Sequence, residues 1–214
     1  MKKYIIIILF ILACSSSEVE KNIPEFDGNI AYQYIIEQCD FGPRNPGSVG
    51  HQQFANFLES YLLKNSDKVI IQDFNYLEHI TGEDRLGKNL VAQFNLEAEE
   101  RLLIGAHWDT RAVADEDPNP DNRSIPILGA NDGASGTAVL MELAKIFSNN
   151  PPPIGIDLVF FDAEDVGISG QPTTYAMGSE YFSKNLPIKK PNSAIIVDMA
   201  VSYTHLTLPT NSGV

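Results

Sequence analysis

The sequence predicts an α/β domain with a largely parallel central sheet, and three observations predict it. Residues 102–106, 156–161 and 194–197 are short, almost unbroken apolar blocks of the kind that form strands covered on both faces. Residues 133–147, between the first two blocks, carry apolar groups at helical spacing. Strand, helix and strand in that order require crossover connections, which make neighbouring strands parallel.

The other elements follow along the chain. Residues 29–39 place Ile30, Tyr34, Ile35 and Cys39 at helical spacing, and Cys39 is expected to be a small buried residue. The prolines and glycines of Phe41-Gly42-Pro43-Arg44-Asn45-Pro46-Gly47-Ser48 break that helix, and Ser48 is placed to cap the next one. That next helix sets Phe54, Leu58, Tyr61 and Leu62 on one stripe. Residues 68–76 read as a strand, rich in Val, Ile and aromatics. Residues 88–95 read as a second, after the turn-prone Thr81-Gly82-Glu83-Asp84. Residues 111–130 form a long loop containing Pro118, Pro120 and Pro126, and loops of such length are usually functional or disordered. The helix over 133–147 directs Val139, Leu143, Ile146 and Phe147 to the core and stops at Pro151-Pro152-Pro153. Asp157 alone interrupts the second apolar block, and no internal repeat is visible.

A chain of 214 residues is long enough for one such domain. The apolar share of 43% and charged share of 20% exclude a disordered or repetitive chain. The net charge of −13 argues against nucleic-acid binding through a basic patch. Lys2 and Lys3, the apolar run at 4–13 and Cys14 read as an export leader over residues 1–13. The run is shorter than the roughly 20 residues a spanning helix needs. Ile11-Leu12-Ala13-Cys14 resembles a bacterial lipobox. Cys14 is therefore expected to carry lipid, residues 14–28 to act as a tether, and the protein to be an exported, membrane-anchored lipoprotein facing the periplasm or the cell surface. Cys39 is then the remaining cysteine, so the mature chain has no internal disulfide.

The chemistry is concentrated where the apolar blocks end. The first ends in His107-Trp108-Asp109-Thr110, the second in Asp162-Ala163-Glu164-Asp165, the third in Asp198. In open α/β sheets ligands bind beyond the carboxyl ends of strands, so clusters remote in sequence meet there. A fourth cluster, Asn131-Asp132-Gly133, precedes the helix over 133–147. Singly, each residue has a bland role: Asp132 a helix cap, Asp109 a turn former, His107 a satisfied polar group. Gathered in one crevice, Asp132, Glu164, Asp165 and Asp198 would repel one another and raise one another's pKa. A divalent cation relieves that repulsion, and carboxylate and imidazole ligands at ~2.0–2.2 Å suit zinc.

Gly105-Ala106-His107-Trp108-Asp109-Thr110, Gly129-Ala130-Asn131-Asp132-Gly133-Ala134-Ser135-Gly136 and Phe160-Phe161-Asp162-Ala163-Glu164-Asp165 resemble motifs of the M28 metallopeptidase superfamily. Within it they are most similar to the glutaminyl-peptide cyclotransferases, whose N-terminal motif the segment at 41–48 also resembles. The resemblance covers about residues 29–200 and implies a three-layer α/β/α sandwich with a mixed, largely parallel sheet, of zinc-exopeptidase type. It implies that Asp132 is a metal ligand, Glu164 the general acid/base and Asp165 the next ligand, where relatives often carry Glu. Asp198 matches a ligand of the second metal in aminopeptidases, or a hydrogen-bonding acid in cyclases. His107 is a ligand if two metals bind, with Asp109 orienting it from behind. The implied reaction turns the N-terminal glutamine of peptides or proteins into pyroglutamate with release of ammonia, using one zinc. The alternatives are an M28 aminopeptidase with two zinc ions and a non-catalytic surface lipoprotein of the same fold. The long insert at 166–177, before Gly178-Ser179, favours the cyclase. The sequence does not indicate an oligomeric state.

Val201-Ser202-Tyr203-Thr204-His205-Leu206-Thr207-Leu208-Pro209-Thr210 resembles translated sequencing-adapter read-through. Residues 201–214 are accordingly expected to be a non-native tail and the domain incomplete at its C-terminal end. A late histidine that completes the zinc site in relatives would then be missing, and His205 is not expected to replace it.

Overall fold

The computed structural model describes residues 23–200. The leader, Cys14 and the tail from 201 onward, with His205, lie outside the described residues.

Four helices are packed on a five-stranded mixed sheet. They are α1 (Gly28–Asp40), α2 (Val49–Lys64), α3 (Ala134–Asn149) and α4 (Met177–Lys184). The strands are β1 (Lys68–Glu78), β2 (Glu83–Phe94), β3 (Arg101–His107), β4 (Gly155–Phe161) and β5 (Ser193–Ile196), in the order β1-β2-β4-β3-β5. β4, β3 and β5 are mutually parallel, as the crossover argument requires. β1 and β2 form an antiparallel hairpin, and β2 runs antiparallel to β4. The parallel half carries the strand ends expected to hold chemistry.

Alternation along the strands explains the layers. Leu90, Ala92 and Phe94 of β2, Ile104 and Ala106 of β3, and Ile156, Leu158 and Phe160 of β4 face one side. There they meet Phe54, Leu58 and Leu62 of α2 and Leu140, Met141 and Ala144 of α3. Val91, Leu103, Val159 and Phe161 face the other side and pack against Phe182 of α4. Burying side chains of this size contributes about 1.5–3 kcal/mol each.

The expected caps and turns form. Ser48 caps α2, its hydroxyl accepting from the His51 backbone N–H at 3.1 Å. The β1–β2 hairpin extends to the pair Glu78–Glu83, beyond the expected ends, because Arg85 pairs with both glutamates. Val139, Leu143 and Phe147 of α3 pack against the core as expected, but the fully buried stripe of the helix is Thr137, Leu140, Met141 and Ala144, whose small members let α3 sit close to the sheet. One expectation is corrected. Cys39 is partly exposed, and its neighbour Gln38 is the buried residue, donating to the carbonyls of Tyr34 and Ala134.

Candidate metal centre

The register of the parallel strands sets His107 opposite Phe161 and Gly105 opposite Ile196. The segments following β3, β4 and β5 therefore emerge side by side. Val197 N–H donates to the Gly105 carbonyl and Ala200 N–H to Ser135 Oγ, both at 2.8 Å, which fixes Asp198 between β3 and α3. A side chain at Gly136 would collide with the Val197 carbonyl oxygen, so this close approach requires glycine.

Asp132 does not cap α3. Gly133 holds the cap position at φ +85°, without a side-chain cap bond. Asp132 Oδ1 instead lies 2.9 Å from His107 Nε2. Asp198 Oδ1 is 3.7 Å from the same nitrogen. On the other side of the ring, Asp109 Oδ1 and Glu164 Oε2 stand 3.4 and 3.9 Å from Nδ1. His107, Asp132 and Asp198 offer ligand atoms within 4.8 Å of one another, the one such group found among the described residues. Both His107 ring nitrogens are buried and neither makes an aligned hydrogen bond, despite these carboxylates. An imidazole that meets carboxylate oxygens without a hydrogen bond suits a cation shared among them, and this donor set suits zinc.

Electrostatics point the same way. Burial alone would lower the pKa of His107, but Asp109, Asp132 and Asp198 outweigh it and push it well above its ordinary value. Burial, with Asp109, Asp165 and Asp132 nearby, lifts Glu164 to about 7. Burial, with Asp132 and Asp109, lifts Asp165 to about 7 as well. A metal cation favours the ionised forms of both groups. Binding is therefore expected to release protons, from Glu164 and Asp165 at pH values below about 7 and from His107 at higher pH as well, so affinity rises with pH through and beyond neutrality. Calorimetry in buffers of different ionisation enthalpy measures this release, and a pH-independent count would refute the expectation.

Asp109 also holds the turn after β4. It is fully buried, and its two oxygens accept the backbone N–H groups of Glu164 and Asp165 at 3.0 and 3.1 Å. These N–H groups and His107 hold its pKa low against the effect of burial. Asp109→Asn puts an N–H donor where one of these acceptors stands, misaligning the turn and the ring together. Metal affinity is expected to fall about 10–100-fold, as read by chelator competition; an unchanged affinity would remove Asp109 from this role.

Asp165 and Asp132 line one pocket of about 450 Å³, but they face different partners. Asp165 Oδ1 accepts from Arg111 Nη1 at 3.1 Å. Arg111 also pairs with Asp115 and lies 5.5 Å from the centre of the Tyr175 ring. Sequence reasoning missed Arg111, although it is the one lysine or arginine among the carboxylates of residues 107–117. It also missed Arg44. That guanidinium is fully buried and donates to the carbonyls of Trp108, Gln38, Leu128 and Gly129, tying the end of α1 to β3 and to the loop before Asp132.

A His/Asp/Asp cluster at the carboxyl ends of a mixed α/β sheet is the arrangement of a zinc-exopeptidase-like fold. The chain belongs to peptidase family M28, whose family model matches residues 89–213. It is similar to the crystal structure of Tannerella forsythia glutaminyl cyclase, with 39% identity, a TM-score of 0.79, and coverage of 82% of this chain and 62% of that one. It is also similar to a Zn-dependent exopeptidase from Parabacteroides distasonis, at 34% identity and a TM-score of 0.78 over 83% of this chain and 63% of that one. An Escherichia coli K12 relative, alkaline phosphatase isozyme conversion protein, is 25% identical over 81% of this chain. The chain spans 51% of that relative's length and less than two thirds of the two structures.

Proposed function

We propose that this chain carries the zinc-binding core of a glutaminyl-peptide cyclotransferase, converting N-terminal glutamine of peptides or proteins to pyroglutamate and ammonia. The observation that carries the reading is the placement of Glu164 and Asp198. They line a small cavity of about 170 Å³ whose apolar wall is Phe161, Ile196 and Val197, beside the metal cluster. A cavity of this size accepts one side chain and offers it two carboxylates. The similarity to the Tannerella forsythia cyclase supports the same reading.

Asp132 and Asp165 would hold one zinc, which when bound supplies Lewis-acid polarisation of the glutamine side-chain carbonyl. Glu164 takes a proton from the α-amine, whose nitrogen then forms a bond to the side-chain carbonyl carbon. Glu164 returns that proton to the departing nitrogen as the carbon–nitrogen bond of the amide breaks and ammonia leaves. Asp198 orients the amine and the proton. The test incubates the zinc-loaded full-length protein with an N-terminal glutamine peptide and measures ammonia and pyroglutamate. Removal of residues from the peptide's N-terminus without cyclisation would overturn the reading.

One observation favours a second reading, an M28-type aminopeptidase. His107, Asp132 and Asp198 gather as the second metal of such an enzyme would require, while Asp165 is turned to Arg111. Metal analysis separates the two: one zinc per chain supports the cyclase and two support the peptidase.

The proposal extends to location. The lipobox-like Ile11-Leu12-Ala13-Cys14 motivates export and anchoring through a lipid on Cys14. Cys14→Ser is then expected to move the protein from the membrane to the soluble fraction, and an unchanged distribution would refute the anchor.

A further inference from the structure

Glu164 sits on a turn whose backbone is unfavourable for its sequence. Ala163, fully buried, has φ +54°, a left-handed conformation natural to glycine but not to alanine. Such a residue persists only where its surroundings over-determine it. Two buried carboxylates do so here. Asp109 holds the N–H groups of Glu164 and Asp165 from one side. Asp162 works from the other: its Oδ1 accepts the Ala163 N–H and its Oδ2 the Lys88 N–H, both at 2.8 Å.

Asp162 is in turn held by a residue that plays no part in the proposed chemistry. His51 Nε2 lies 2.9 and 3.1 Å from the two oxygens of Asp162. The His51 ring is stacked on Trp108, 4.4 Å between centroids, and Trp108 Nε1 donates to the Lys88 carbonyl at 3.2 Å. The imidazole is thus fixed in plane and aimed at the carboxylate. Asn89 completes the frame, accepting the Asp162 N–H through Oδ1 and donating to the Gly178 carbonyl through Nδ2.

We propose that His51 is a positioning residue: through Asp162 it holds Ala163 in the left-handed conformation that points Glu164 at the metal cluster. The bearing of this on turnover rests on the acid/base role proposed for Glu164. The positioning itself does not, and it is testable without metal or substrate.

The experiment measures amide hydrogen exchange on the full chain, comparing Ala163, Glu164 and Asp165 with Leu140 of α3 and Leu158 of β4. His51→Phe keeps a ring against Trp108 and removes the hydrogen bond to Asp162. It is expected to speed exchange at the turn by about tenfold, the effect of one lost buried hydrogen bond, and to change the two reference amides less. Adding Ala163→Gly removes the need for the clamp, and His51→Phe is then expected to speed the turn by no more than about threefold. His51→Gln, which can still donate to Asp162, is expected to stay near the unsubstituted chain and provides the reading if His51→Phe does not fold. Equal acceleration at the turn and the reference amides would overturn the proposal. So would the same acceleration with glycine at 163, or a loss in His51→Gln as large as in His51→Phe. None of these outcomes depends on whether glutamine is the substrate, so failure here is distinct from failure of the cyclase reading.

Discussion

Glu164→Gln is expected to lower pyroglutamate formation by about 10²–10⁴-fold while the protein still takes up zinc, because general acid/base assistance is worth that much and no zinc ligand is removed. The amide matches the carboxylate in size. The backbone of residue 164 stays fixed by Asp109 Oδ1, which binds its N–H and not its side chain. Glu164 is neither one of the zinc ligands proposed for the cyclase, Asp132 and Asp165, nor a member of the candidate cluster of His107, Asp132 and Asp198. Turnover and metal content therefore separate in one variant. Turnover near that of the parent would sink the acid/base role, and loss of zinc with turnover would reassign Glu164 as a ligand.

Arg101→Met is expected to destabilise the chain by about 3–5 kcal/mol, the cost of removing one partner from a buried ion pair. Arg101 Nε and Nη2 contact the two Asp157 oxygens at 2.8 Å each. Asp157 is fully buried, and among the described residues its other side-chain partner is Gln93, whose Nε2 donates at 2.6 Å. Arg101 also donates to the carbonyls of Phe94, Asn95 and Ile156, closing the ends of β2 and β4 over β3. Without the guanidinium, Asp157 remains as an unpaired charge between packed strands. The melting temperature is expected to fall by roughly 10 °C for a domain of this size. A companion variant, Arg101→Met with Asp157→Leu, is expected to recover much of that loss, since it leaves no orphaned charge. A single variant no less stable than the double one would show that the pair has little importance.

This pair marks the limit of what the sequence makes legible. The three parallel strands are legible because each is a local apolar run, and His107 and Asp198 stand out because they fall at the ends of two of those runs, whereas Asp132 lies in the loop before α3. The single break in the second run, Asp157, was visible but unexplained. Its partner lies 56 positions away, on the neighbouring strand. Arg111 was equally out of reach, since its grip on Asp165 spans 54 positions. His51 did leave a signal. It lies on the same helical stripe as Phe54, Leu58 and Leu62, the buried face of α2, where an imidazole needs a partner. Asp162 supplies one, and no local pattern points to it. The apolar residues of α3 that face the core are legible, but Thr137 and Ala144 at its closest approach are not, because packing is decided by how near two backbones come as well as by side-chain size.

Arg44 has a consequence beyond holding three segments together. Its side-chain donors go to carbonyl oxygens, and no carboxylate among the described residues forms an ion pair with it. Burial lowers its pKa to about 10, which leaves it fully cationic at neutral pH, and its field reaches Asp109. It is therefore a permanent internal counterion set beneath a crowd of acids. Unlike a proton on His107 it does not come and go with pH, and unlike a metal it takes no ligand position. Part of the charge of Asp109, the acid on which the turn after β4 rests, is offset before any ion arrives.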